Sequence, residues 1–331
     1  MVPTLANQYS FQVSFASRYA WSVRIYIAGI NGMVGSAIKE EAILQGHEVL
    51  GKSSSELDFT NREAVFTELQ MVKPNCIVIA AAKVGGIGAN SSLPVDFLSL
   101  NLQIQVNLLD AAHNADIENL VFLGSSCIYP RLAAQPIKES SLLTGAFEPT
   151  NEPYAIAKIA GLKLVEGYRH QFGRKWISAM PTNLYGPRDN FDLESAHVLP
   201  AILHRLHNAT LANSDHVQIW GDGSPLREFL HVGDLARAVL TLISSYDGDT
   251  ALNIGSGEEI SIHDLALLIA QIVGYKGKLQ FDTTRPNGTP RKLLDSKLIL
   301  DLGWKPQVKL EDGIIRTYEW FLENQKANLS K

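Results

Sequence analysis

Cysteine is scarce in this chain: its 331 residues include two, Cys76 and Cys127. Two thiols with no C-x-x-C pairing give neither a disulfide framework nor a metal-ligand spacing, which points to a reducing compartment and no bound metal. Long apolar runs are missing as well. No stretch approaches the roughly 18–20 uninterrupted apolar residues that span a bilayer. A strong excess of one charge is also absent: 29 basic and 34 acidic side chains leave a formal charge of −5. That balance disfavours a polyanion such as DNA, while leaving room for a local basic pocket. Internal repeats and low-complexity linkers are lacking. What is present, 46% hydrophobic and 19% charged residues, is ordinary for a globular enzyme. The length allows one large α/β domain or two moderate ones.

Residues 1–22, MVPTLANQYSFQVSFASRYAWS, hold one arginine, no acid and no continuous apolar core like that of a secretory signal. A weak targeting segment, a tail or an upstream start would each fit, and a disordered extension on a cytoplasmic enzyme is expected. From Val23 the pattern becomes regular. RIYIAG (24–29), HEVLGK (47–52), NCIVIAAA (75–82), NLVFLGSS (119–126) and WISAMPTN (176–183) read as strands. Between them, GMVGSAIKEEAILQG (32–46), REAVFTELQMVK (62–73), 97–115 and 154–172 have helical spacing. Alternating strands and helices imply right-handed crossovers and a parallel sheet covered on both faces. The expectation is an α/β fold, a Rossmann-like doubly wound parallel sheet over 23–185. After Tyr185 the alternation loosens. Residues 186–331 are expected to form a smaller C-terminal α+β part that binds substrate, with some exchange of chain between the two. Ligand should lie between them, outside the carboxyl ends of the strands.

The first strand is followed by Gly29-Ile30-Asn31-Gly32-Met33-Val34-Gly35, a G-x-x-G-x-x-G with a strand before it and a helix after it. Glycines there allow a tight turn and bring a pyrophosphate close to a helix N-terminus, where free N–H groups favour anions. Beyond the second strand, an NAD site usually offers an acid to the ribose hydroxyls. Lys52-Ser53-Ser54-Ser55 stands there instead. A cation followed by hydroxyls suits a 2′-phosphate and favours NADP(H), although a solvated loop with Glu56 nearby reads the same way.

Tyr154-Ala155-Ile156-Ala157-Lys158 is a Y-x-x-x-K. Residues four apart share a helix face, so the ammonium, helped by the positive charge of an oxidised nicotinamide ring, is expected to lower the phenol's pKa from about 10 toward working pH. Ser125, at the end of the preceding strand, is placed to bond a substrate carbonyl or hydroxyl. By themselves, Cys127 would more often be a small buried hydrophobe and His197 a cap or packed histidine.

Taken together, the glycine fingerprint, the strand-end serine and Y-x-x-x-K resemble the extended short-chain dehydrogenase/reductase family, which acts largely on nucleotide sugars. The resemblance runs from about Val23 onward. GMVGSAI, LGSSCIYP, PTNLYGPRDNF, SAHVLPAIL, WGDGSPLREFLHV and GTPRKLLD are similar to the motifs of the branch that is both 3,5-epimerase and 4-reductase of a GDP-4-keto-6-deoxy-sugar. It implies NADP(H) as cofactor, with further contacts from Leu123, Gly124, Ser125, Ser126, Pro181, Thr182, Asn183, Leu184 and His197. It implies Ser125, Tyr154 and Lys158 for reduction at C4, and Cys127 with His197 for inversion at C3 and C5. It leaves open which of those two is base and which acid. A thiol near pKa 8.5 and an imidazole near 6.5 are both close enough to neutrality to exchange protons in either direction. The GDP-sugar would be held by Lys83, Asn183, Arg205, Trp220, Arg227 and Lys292. A homodimer through helices 97–113 and 154–170 is also implied. The extension and the asparagine of TRPNGTPRK, Asn287, depart from the family's pattern. Another nucleotide-sugar epimerase or reductase of the family, or an idle NADP-binding regulator, are the competing readings.

Overall fold

Successive side chains of a strand point to opposite faces, so a run such as Arg24–Ala28, apolar on both, must be covered twice. The chain does this by alternating strands and helices. In the computed structural model, which describes residues 22–329, it runs β1 (Arg24–Ala28), α1 (Met33–Leu44), β2 (Glu48–Leu50), α2 (Arg62–Val72), β3 (Cys76–Ile79), α3 (Ile87–Ser92), α4 (Asn101–Asn114), β4 (Asn119–Leu123), α5 (Glu152–Phe172) and β5 (Lys175–Pro181). It continues through β6 (Asn183–Tyr185), α6 (Val198–Leu211), β7 (His216–Trp220), β8 (Leu226–His231), α7 (Val232–Ser245) and β9 (Leu252–Ile254). The last elements are β10 (Glu259–Ser261), α8 (Ile262–Val273), β11 (Lys278–Asp282), β12 (Arg291–Lys292), α9 (Lys297–Asp301) and α10 (Leu310–Leu329). Apart from Ser22, the N-terminal extension lies outside the described residues. No helix among them is long and apolar enough to cross a membrane.

Six strands form one sheet in the order β2-β1-β3-β4-β5-β9, with every pair parallel. One face buries Ile25, Ile27, Val78 and Val121 under α1 and α7, whose Leu235 and Val239 reach the sheet. The other buries Tyr26, Ile77, Phe122 and Trp176 under α2, α4 and α5. Each such buried side chain stabilises by roughly 1.5–3 kcal/mol relative to exposure. The order reverses between β1 and β3, and that switch point opens a crevice at the strands' carboxyl ends. After Tyr185 the chain builds a second core of α6, α8 and α10 against β7 and β8. It also returns to the sheet, adding β9 beside β5 and α7 over α1.

The helix expected from residue 97 begins differently. Asp96–Leu100 form a π-turn before α4. Asn101, 2% exposed, donates to Phe97 O at 2.7 Å and Lys83 O at 3.0 Å and accepts from Lys83 N at 2.8 Å. These bonds hold the wider turn and seat Phe97 edge-on against Tyr154, with ring centroids 6.3 Å apart.

Candidate active site

β1 ends in Gly29, whose φ of +90° suits glycine; a Cβ there would lie 2.9 Å from Ala81 N. At Gly35 a Cβ would lie 2.1 Å from Gly29 O, so α1 can rest on the turn only because that residue has no side chain. α1 starts after Gly32 with no side-chain cap and no acid in its first turn, which leaves its leading N–H groups to an anion. This cradle fits the pyrophosphate of a dinucleotide. Beyond β2, Glu56 Oε2 is taken up by Ser53, accepting from its N at 2.8 Å and its Oγ at 2.6 Å. Lys52 donates to the buried Glu68 at 2.5 Å while its side chain stays 37% exposed. The exposed part of Lys52, already paired with Glu68, is the cation that remains accessible at this mouth.

β4 leads into Gly124, packed so tightly on Met180 that a Cβ would meet its Sδ at 2.5 Å. Ser125 then caps a short 3₁₀ turn, Ser126–Ile128, its Oγ accepting from Cys127 N at 3.2 Å. Cys127 Sγ lies 3.5 Å from Lys292 Nζ. β12 brings Lys292 there by pairing in parallel with β8, which makes Arg227 and Lys292 register partners. Burial pushes the Cys127 thiol up, but the Lys292 ammonium, hydrogen bonds from Ser125 and Lys292, and the Arg227 charge outweigh it and hold the thiol below its ordinary value. Cys76 is the internal control: buried in β3 with no such neighbours, its thiol is pushed up to about 12. Replacing Lys292 by glutamine should therefore raise the pH midpoint of Cys127 alkylation by about 1–2 units, the effect of one close opposite charge. An unmoved midpoint would show that Lys292 does not govern the thiol.

α5 carries Tyr154 and Lys158 one turn apart. Lys158, 4% exposed, donates to Leu123 O at 2.8 Å and stands 5.9 Å from the Tyr154 ring centroid. The protein's own groups, the lysine included, do not on balance lower the phenol. Burial, and then the charge of Cys127, push the Tyr154 phenol up, and only a hydrogen bond with Ser125 opposes them. Burial also lowers Lys158, to about 8, so desolvation of both groups outweighs their pairing. His197 supplies the backbone N-cap of α6. It is solvent-accessible, yet the surrounding protein and the Lys292 charge keep its imidazole below the usual value. Lys292 thus acts on Cys127 and His197 together.

Toward the expected nucleotide end, the guanidinium groups of Arg205 and Arg285 lie 5.2 and 4.8 Å from the centre of the Trp220 ring. Arg285 was not foreseen. Its signal is its place in TRPNGTPRK, the loop that also carries Asn287. Asn287 Oδ1 accepts from Asp222 N at 2.9 Å and its O accepts from Arg227 at 3.4 Å, so this residue ties the loop to the turn after Trp220. Thr182 and Asn183 are spent on a strand contact, both side chains donating to Glu228 O at 3.2 and 2.8 Å. Pro181 and Leu184 lie within β5 and β6. Lys83 is exposed, and among the described residues no bond joins its ammonium to the Cys127 cluster. Nor do three or more His, Cys, Asp or Glu side chains among them gather in a way that could hold a metal ion.

A doubly wound sheet with a glycine cradle, and a serine, tyrosine and lysine at its carboxyl edge, define a dinucleotide-dependent α/β enzyme. The chain belongs to the NAD dependent epimerase/dehydratase family, which it matches over residues 25–255. It is 52% identical to GDP-L-fucose synthase 1 of Arabidopsis thaliana, across 92% of this chain and 94% of that one. It is 48% identical to the GDP-L-fucose synthase of Escherichia coli, across 91% and 97%. Among solved structures it is similar to a GDP-mannoheptose C4 reductase of Campylobacter jejuni with NADP bound, with 35% identity, a TM-score of 0.82 and coverage of 91% and 98%. A GDP-L-fucose synthetase of Naegleria fowleri bound to NADP has 27% identity, a TM-score of 0.85 and coverage of 93% and 96%.

Proposed function

We propose that this chain carries out the reaction for which its synthase relatives are named. GDP-4-dehydro-6-deoxy-D-mannose is inverted at C3 and C5 and reduced at C4, giving GDP-L-fucose. The observation that carries this reading is that one cleft holds two proton-transfer centres: Cys127 with Lys292 and His197, and Tyr154 with Lys158. A simple reductase needs only the second.

The C4 ketone acidifies the hydrogens at C3 and C5. With Lys292 stabilising its thiolate, Cys127 is the base. It takes the proton, and the C–H electron pair moves into the C4 carbonyl to give an enolate. Ser125 and the Tyr154 hydroxyl are the donors for that oxygen. His197 returns a proton from the opposite face; a lowered pKa makes its imidazolium the stronger acid once charged. The Gly29–Gly35 cradle would hold NADPH, whose chemistry would supply the hydride for C4. Tyr154 then protonates the C4 oxygen, with Lys158, anchored on Leu123 O, 5.9 Å from the centre of its ring. Lys52, exposed beyond β2, suits a 2′-phosphate, so NADPH should be used in preference to NADH. Arg205, Arg227 and Arg285 carry the charge that a nucleoside diphosphate needs, and Trp220 offers a stacking face.

The same reading makes the protein a cytoplasmic homodimer. Val95, 73% exposed just before α4, and Ile156, 43% exposed on α5, are apolar side chains that a second copy would cover. The test is incubation of purified protein with GDP-4-dehydro-6-deoxy-D-mannose and NADPH in D₂O. Expected are NADPH oxidation and deuterium at both C3 and C5. NADPH oxidation without deuterium would make the protein a C4 reductase, and no oxidation would defeat the reading.

A further inference from the structure

Asn151 has no part in the mechanism above. It occupies the N-cap of α5, where an asparagine side chain ordinarily accepts from the helix's own N–H groups, yet it makes no such bond. Its Oδ1 is buried without a hydrogen-bond partner. Buried polar atoms are left unpaired at a cost, and each one asks for a reason. Here the reason is a small cavity beside Cys127. Asn151 lines it together with Cys127, Glu148, Thr289 and Lys292, against walls that include Tyr129 and Ile137. The space open to the centre of a water-sized sphere is about 10 Å³, enough for one water or one hydroxyl.

The polar wall selects what enters. Lys292 commits one of its three N–H groups to Cys127 Sγ at 3.5 Å. Glu148 offers a carboxylate, with one oxygen accepting from Thr150 Oγ1 at 3.3 Å and the other 3.1 Å from Arg131 Nε. Asn151 offers a bare amide oxygen. The unpaired atom among these is the Asn151 oxygen, an acceptor, and it calls for a donor. Neither a methyl group nor a carbonyl oxygen satisfies it, whereas an O–H does.

We infer that Asn151 and this cavity form a hydroxyl subsite that takes the C3 hydroxyl of the 4-keto sugar while Cys127 removes the proton from the same carbon. The inference rests on the function proposed above and adds a residue to it. Around the ketone, C5 bears a methyl group and the ring oxygen, which donate nothing, and C4 bears an acceptor. C3 alone is both a reacting carbon and the bearer of a donor. A bond from its hydroxyl to Asn151 Oδ1 fixes the rotation of the sugar, so that the C3 hydrogen meets the thiolate. The bond has no counterpart when C5 is presented.

The test uses Asn151→Ser in the full chain. Serine is as good a capping residue but too short to carry an oxygen to the same place. Deuterium entry from D₂O into GDP-4-dehydro-6-deoxy-D-mannose is followed at C3 and C5 without NADPH. Entry at C3 should fall about 10- to 100-fold, the consequence of one lost buried hydrogen bond, while entry at C5 stays within about twofold. The melting temperature and the alkylation midpoint of Cys127 should not move. Asn151→Gln, which keeps a neutral amide oxygen at the cavity, should lose less C3 exchange than Asn151→Ser. Equal losses at the two carbons, or no loss at C3, would overturn the subsite. A wild-type protein that exchanges neither carbon would overturn the epimerase reading instead, so the two failures are told apart.

Discussion

Cys127→Ser should lower deuterium entry at C3 and C5 by about 10²- to 10⁴-fold, the range for loss of a positioned general base. The substitution changes little else. The backbone N–H of residue 127 still reaches Ser125 Oγ, which needs no sulfur, and Lys292 is still delivered by the pairing of β12 with β8. What is lost is an ionisable group. The Lys292 ammonium and the Arg227 charge offset the burial of a thiol and carry it below its ordinary value. A shift of that kind, 1–3 units for a close charge, leaves a serine hydroxyl far from ionising at neutral pH. The experiment needs no NADPH, so cofactor binding cannot mask the result. Normal exchange at both carbons would remove Cys127 from the mechanism. With the Lys292→Gln profile, it also separates two explanations of slow exchange. Loss of the base acts at every pH, whereas loss of its cation is recovered at higher pH as the thiol ionises unaided.

Cys127 and Cys76 also mark how far the sequence is legible. Cys76 lies within an apolar strand and Cys127 just past the end of one, behind Ser125, but these neighbours along the chain do not by themselves make a reactive thiol. The difference is Lys292, 165 positions away, and only the register of a two-residue strand puts it there. The resemblance named both residues, but it cast Lys292 as a substrate contact; its contact with sulfur is a tertiary fact. The five early strands were readable because runs such as IYIA are apolar on both faces, a pattern that only a doubly covered sheet tolerates. β9 is three residues long, and its joining to β5 depends on hydrogen-bond register rather than on pattern. The part of the Tyr154 shift that the protein itself sets is hidden for a related reason. Spacing reports that a lysine is one turn away, but not that both groups are desolvated. Asn151 was hidden by its own plausibility, since an asparagine before a helix reads as a cap, and only its missing bond shows otherwise.

Tyr154→Phe should have the complementary effect, lowering NADPH oxidation by about 10²- to 10⁴-fold while deuterium still enters C3 and C5. Phenylalanine keeps the edge-on contact with Phe97 and removes the hydroxyl proposed to protonate the C4 oxygen. Burial holds the wild-type phenol in its protonated form through neutral pH, which suits a group whose task is to donate. Its supporting cation behaves otherwise. Lys158, lowered to about 8, is charged below that pH and loses its proton as the pH rises through it, so wild-type reduction should decline on the alkaline side of about 8. Exchange in the variant should be slower than in wild type, because the enolate oxygen has lost one of its donors, but not abolished while Ser125 is present. Reduction within tenfold of wild type would displace Tyr154 as the acid. The two centres are not wholly independent. Ser125 accepts from the Cys127 N–H and also hydrogen-bonds the Tyr154 hydroxyl. In the proposed mechanism Ser125 would hold the C4 oxygen both as the enolate formed during inversion and as the ketone that is then reduced, so the sugar would pass from one centre to the other without its C4 oxygen changing partners.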